Sequence, residues 1–167
     1  MRAVVLGPPA SGKSRFALEL GAITGVQVFH VDLVVEDIGR RHPEEIRMRL
    51  AEYASRDSWI IDGNSFGKDP VGRINRSQVV FVFRCAPMLS LMRHVMRWVR
   101  LRAGAEKRLG ARRSDLDLKF FIPYIFVHLS RRQKAVIGYA QSIGKEIVVF
   151  KKRRDVTNYK LRLLDSG

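Results

Sequence analysis

Short runs of consecutive apolar residues alternate with longer stretches in which apolar positions recur every three or four residues. Ala3-Val4-Val5-Leu6 is too short for a helix and stops at Gly7-Pro8-Pro9, which predicts a buried strand. From Gly12 to Ile23 the apolar residues Phe16, Leu20 and Ile23 fall at helical spacing. A second strand is predicted over Val26–Val31, ending at Asp32, and a helix from Pro43 to about Arg56, with its proline in the first turn. Ser58-Trp59-Ile60-Ile61, ending at Asp62-Gly63-Asn64, and Gln78–Phe83 read as the third and fourth strands.

Pro87 to about Ala103 reads as one long helix, and Gly104–Ser114 as a glycine- and arginine-rich break. Leu116 to about Ser142 is expected to be mostly helical, with Pro123 starting or kinking a segment. A fifth strand over Glu146–Phe150 and a helix over Val156–Leu164 close the chain. Fully apolar strands alternating with helices imply an α/β fold, a doubly wound parallel five-stranded sheet covered on both faces. With 167 residues, no repeat and no low-complexity linker, a single domain over 1–167 is expected, carrying a basic helical lid at about 97–114.

No apolar run approaches the roughly 18 residues that cross a bilayer. The start of the chain also lacks the long apolar segment of a secretory leader. One cysteine, Cys85, excludes an internal disulfide and a thiolate zinc cluster. These features predict a cytoplasmic protein, of a bacterium or an infected host cell, with no membrane partner.

Charge changes the picture more. The net charge is +15, and residues 1–83 carry 11 basic and 10 acidic side chains against 20 and 6 in residues 84–167. So lopsided a half suits a polyanionic partner, with nucleic acid first and a membrane surface second; the alternative is a solvated basic surface.

Gly7-Pro8-Pro9-Ala10-Ser11-Gly12-Lys13-Ser14 satisfies G-x-x-x-x-G-K-[ST] between a predicted strand and a predicted helix, the setting of a phosphate-binding P-loop. Its backbone amides and the helix dipole favour anionic phosphates. Gly7, Pro8, Ala10, Ser11, Gly12, Lys13, Ser14 and Arg15 are therefore the candidate ATP site. Lys13 would reach the β- and γ-phosphates, and Ser14 would help hold Mg²⁺. The short chain and the lack of an N-K-x-D motif favour a small phosphotransferase over a motor or a GTPase.

Asp32 stands where acceptors bind in such sheets, placed to accept a hydroxyl proton or simply to hydrogen-bond the acceptor; capping or an ion pair is the other reading. Asp62 ends an apolar strand in the Walker-B manner, suited to a Mg²⁺-bound water or to the acceptor, though Asp-Gly is also a turn pair. Either acid is a candidate base. Arg93, Arg97 and Arg100 share a helix face, suited to the charge of a transferring phosphoryl group. Asn64, Arg73, Arg102, Arg108, Arg112 and Arg113 are candidate acceptor or nucleic-acid contacts. Residues 84–113 hold nine basic side chains against Glu106 alone, more than one triphosphate requires. The four histidines show no metal-binding spacing and are expected to pack or to face solvent.

The P-loop, His30-Val31-Asp32, Trp59-Ile60-Ile61-Asp62-Gly63-Asn64, Arg93 with Arg97, and Phe120-Phe121 through Arg131-Arg132 together resemble the adenylate-kinase-related FlaR-type DNA topology modulation proteins, over nearly the whole chain. Phage kinases that phosphorylate hydroxymethyluracil in DNA are similar in general kind. The resemblance implies a kinase fold and ATP- and Mg²⁺-dependent transfer of a γ-phosphoryl group to a nucleotide-type acceptor. A hydroxyl in DNA, such as that of 5-hydroxymethyluracil, is the favoured acceptor. The alternatives are a kinase of free nucleotides or nucleosides, and a DNA-binding P-loop ATPase that affects topology. The chain departs from the pattern at Arg84, where relatives tend to carry an acid, and at Lys107-Arg108-Leu109-Gly110 in the lid.

Overall fold

A computed structural model describes residues 1–64, 70–104 and 122–165. The strands are β1 (Arg2–Leu6), β2 (Val28–His30), β3 (Trp59–Asp62), β4 (Val79–Phe83) and β5 (Glu146–Phe150). Every pairing is parallel, and the order across the sheet is β2-β3-β1-β4-β5. The helices are α1 (Lys13–Thr24), α2 (Val31–Ile38), α3 (Pro43–Ala54), α4 (Pro70–Arg76), α5 (Pro87–Arg102), α6 (Leu129–Ser142) and α7 (Arg153–Asp165). A π-helical turn over Tyr124–His128 leads directly into α6, with Pro123 immediately before it.

Strand residues divide by parity between two cores. Val4, Leu6, Trp59, Ile61, Val80 and Val82 pack with Ile46 and Leu50 of α3, Ile74 of α4 and Val136 and Ala140 of α6. Ala3, Val5, Ile60, Val79, Phe81 and Phe83 meet Phe16, Ala17 and Leu20 of α1 and Phe150 of β5. Phe16 holds this second core together, its ring centroid 5.0 to 5.5 Å from those of Phe81, Phe83 and Phe150. Truncating so enclosed a side chain to alanine costs about 3–5 kcal/mol. Double coverage explains why the strands read as continuous apolar runs rather than as alternating ones.

Three differences from expectation stand out. The second strand stops at His30, because α2 takes over at Val31, so Asp32 lies in the first turn of a helix rather than at a strand end. Between the third and fourth strands stands α4, which the sequence reading lacked. The last helix starts at Arg153, three residues early, because the Asp155 carboxylate accepts hydrogen bonds from the Lys151 and Lys152 amides at 2.8 and 2.9 Å. Residues 105–121, which include most of the expected lid and the first part of the expected helix from Leu116, lie outside the described residues. Among those described, no helix is long and apolar enough to cross a membrane.

Candidate active site

Beyond Leu6 the chain leaves the sheet and turns over residues 7–12 into α1. Ser11 N–H donates to the Pro8 carbonyl at 3.3 Å, Ala10 takes a positive φ of 56°, and Gly12 takes 92° at the N-terminus of α1. An alanine at a positive φ stores strain, as at many ligand-binding turns. Gly7 is required for a different reason. A Cβ there would lie 2.6 Å from Phe83 Cβ, so only glycine lets the loop start so close to β4.

Two side chains from distant elements hold the loop. Asn64, just after β3, accepts a hydrogen bond from Gly7 N–H at 2.9 Å and donates to the Gly7 carbonyl. Ser90, fully buried in the first turn of α5, donates its hydroxyl proton to the Pro9 carbonyl at 2.9 Å. This changes the expected role of Asn64. Its amide is committed to the loop backbone, with the Tyr124 hydroxyl 3.4 Å away, and so is not free for an acceptor.

Asp62 is the last residue of β3 and is 4% exposed. Its register partners are Val5 on β1 and His30 on β2, which puts it on the face covered by α1. Burial opposes its ionisation but is outweighed by the Lys13 charge and by hydrogen bonding from His30 and Ser14. The Asp62 carboxyl therefore titrates below its ordinary range. His30 Nδ1 lies 2.9 Å from Asp62 Oδ2, so this histidine is a partner of the site and not the packing or surface residue expected. Asp62 Oδ1 is buried and has no partner within hydrogen-bond distance.

The expected metal pair therefore fits a hydrated Mg²⁺. Ser14 offers a hydroxyl near the Asp62 carboxyl, and that carboxyl keeps one oxygen, Oδ1, that no group among the described residues occupies. Among the described residues no group of three His, Cys, Asp or Glu is arranged to hold a metal. Most of the coordination sphere would therefore come from water and phosphate oxygens, as is usual for Mg²⁺.

A cavity of about 380 Å³ is lined by Arg93, Met96, Arg97 and Arg100 of α5 together with Ala10, Ser11, Gly12, Lys13, Ser14 and Arg15. The structure thus brings the predicted arginines and the predicted loop together around one space. Arg93 Nη1 also approaches Cys85 Sγ at 3.8 Å, while Arg15 pairs with Glu19 at 2.8 Å on the outer side of α1.

Asp32 is exposed in the first turn of α2, and α2 has no side-chain cap, so the capping reading of this residue falls away. Its charge is felt by Tyr124. Burial pushes the Tyr124 phenol above its ordinary value and Asp32 adds to that, against the Asn64 hydrogen bond and the Arg132 charge. Tyr124 is joined to the loop through Asn64.

The remaining candidates separate. Arg73 is 1% exposed, inside the protein rather than on a surface open to a polymer. Arg102 is exposed, with its guanidinium 4.4 Å from the centre of the Trp98 ring. Arg108, Arg112 and Arg113 lie outside the described residues. Sequence reading missed the parts of His30, Ser90 and Tyr124. The His30-Val31-Asp32 sequence was the one local signal for the first of these.

With this geometry in place, solved structures give the fold a context. The chain is similar to shikimate kinase from Aquifex aeolicus at a TM-score of 0.59 and 15% identity, covering 99% of this chain and 97% of that one. It is similar to shikimate kinase from Bacteroides thetaiotaomicron at a TM-score of 0.56, with the same identity and coverage. The chain thus shares its all-parallel five-stranded α/β fold with these two kinases, as the alternation of elements predicts. No family model matches the chain, and no curated protein does.

Proposed function

We propose that this protein is an ATP- and Mg²⁺-dependent phosphotransferase that moves a γ-phosphoryl group to a hydroxyl acceptor of nucleotide type. One observation carries the reading: the P-loop residues Ala10 to Ser14 and the three arginines line one cavity, and the Asp62 carboxyl lies against Lys13 and Ser14 of that loop. The shikimate kinase fold supports transfer chemistry in general terms.

The residues divide the work. Loop amides and Lys13 bind the donor phosphates, and Ser14 with Asp62 would hold the hydrated Mg²⁺. That ion would supply charge neutralisation across the β- and γ-phosphates. Arg93, Arg97 and Arg100 stabilise the equatorial oxygens as negative charge spreads over them. The acceptor oxygen bonds to the γ-phosphorus and the bond to the β,γ-bridging oxygen breaks, releasing ADP. The hydroxyl proton passes to Asp32, which is exposed at the start of α2, whereas Asp62 is buried and held by Lys13, His30 and Ser14 and is a poorer base.

DNA carrying a hydroxymethylated pyrimidine is the finer reading of the acceptor, and it rests on charge. Arg84, Arg100, Arg102, Arg131 and Arg132 are exposed, as are Lys151, Lys152, Arg153 and Arg154. The test is transfer of label from γ-labelled ATP to hydroxymethyl-containing duplex DNA, compared with free nucleotides and nucleosides. Label in the duplex is expected. Label in mononucleotides or nucleosides alone overturns the DNA reading, and ATP turnover with no labelled acceptor overturns the kinase reading.

A further inference from the structure

The pairing of His30 with Asp62 is a strongly buried polar contact at the site to which the proposed reaction gives no task. The two residues are register partners at the ends of adjacent parallel strands, so their side chains leave the same face of the sheet side by side. Their side chains are 10% and 4% exposed. Gly63, with a φ of 143°, makes this closeness possible, because a Cβ there would lie 2.6 Å from Val31 Cβ and force the two strand ends apart.

The direction of the hydrogen bond follows from the chemistry. An ionised carboxylate only accepts, so the ring nitrogen facing Asp62 carries the hydrogen and Nδ1 is the donor. Oδ2 is thereby occupied. The free oxygen, Oδ1, remains on the carboxyl that Ser14 and Lys13 approach from the α1 side. A carboxylate with neither oxygen tied rotates about its final bond and offers either atom in many orientations.

We propose that His30 is a positioning residue for the donor site. Its Nδ1–H holds the Asp62 carboxyl by Oδ2 and so leaves Oδ1 as the oxygen that would accept a hydrogen bond from the water shell of the nucleotide-bound Mg²⁺. The inference rests on the donor-site reading given above. Residues that orient a metal-binding group in this way typically govern metal affinity by about 10- to 100-fold.

The test separates the two ideas by titrating ATP into the full chain with EDTA and then with excess Mg²⁺, using calorimetry. The readout is the gain in ATP affinity that Mg²⁺ produces. Asp62→Asn sets the size of its full loss. His30→Leu fills the space but lacks a donor, and is expected to cut the Mg²⁺-dependent gain about tenfold while changing metal-free affinity less than twofold. His30→Asn, whose amide nitrogen falls near the position of Nδ1, is expected to restore most of the gain. Should His30→Leu melt too low to titrate, His30→Gln takes its place, with its amide one bond too far out. An undiminished Mg²⁺ gain in His30→Leu or its substitute overturns the inference, and so does an equal loss in His30→Asn. A wild-type chain that binds no ATP under either condition overturns the donor-site reading and the inference with it.

Discussion

Asn64 holds Gly7 by both backbone groups, accepting from its N–H and donating to its carbonyl across 57 residues of sequence. The side-chain amide thus takes the place of a strand at the point where β1 ends and the glycine-rich loop begins. Asn64→Ala removes both bonds and leaves a part-buried amide and carbonyl unpaired, a loss of about 1–3 kcal/mol. Denaturant unfolding should show a lower midpoint at unchanged slope. ATP affinity should fall as well, because the loop loses its anchor.

Lys13→Ala tests the donor site directly. Lys13 is half-buried at the start of α1 and lies outside both cores. Thermal stability should stay near wild type, while ATP binding by calorimetry and transfer of labelled phosphate fall below detection.

The arginine face tests transition-state stabilisation. Arg97→Ala is expected to lower kcat by a factor of about 10² or more with a smaller change in the KM for ATP, since the guanidinium acts most strongly on developing charge. Steady-state kinetics on the preferred acceptor check this. Equal losses in kcat/KM and in binding would instead assign Arg97 to ground-state recognition.

Gly63→Ala is the sharpest packing test. It places a side chain at a φ of 143° and within 2.6 Å of Val31 Cβ. Strain of this kind costs on the order of 1–3 kcal/mol, and the overlap with Val31 a similar amount. A Tm lowered by several degrees, together with weakened Mg²⁺-dependent ATP binding, is the expected result.

Acid should act through Asp62. Its carboxyl titrates below the ordinary value of 3.8 in the folded protein, so it contributes stability that is fully present above that value. The contribution disappears as pH falls through the lower folded value. Urea midpoints measured from pH 6 downward should therefore drop less steeply for Asp62→Asn than for wild type at the acid end.

The sheet, the loop and most helices were legible because each leaves a local mark. Val79–Phe83 is apolar throughout because helices cover it on both sides, and Gly12-Lys13-Ser14 announces its chemistry within a few residues. The second helix left no such mark. Val31, Val34 and Val35 favour strands by propensity, and no turn residue separates them from β2, so tertiary packing of Val31 and Val34 decided the outcome. The parts played by His30, Asn64 and Ser90 were hidden for a different reason. Each depends on a partner that only register or folding brings near: Asp62 across a strand pair, Gly7 from 57 residues away, and Pro9 from 81.

The bond from Ser90 to Pro9 has a mechanical consequence. It pins one end of the arginine-bearing helix to the loop between β1 and α1, whereas Arg100 lies ten residues farther along, about 15 Å away at helical rise. Were the helix to tilt about the serine by a few degrees, the outermost guanidinium would move by more than an ångström and the innermost one far less, so any change in the width of the cavity would be graded along its length.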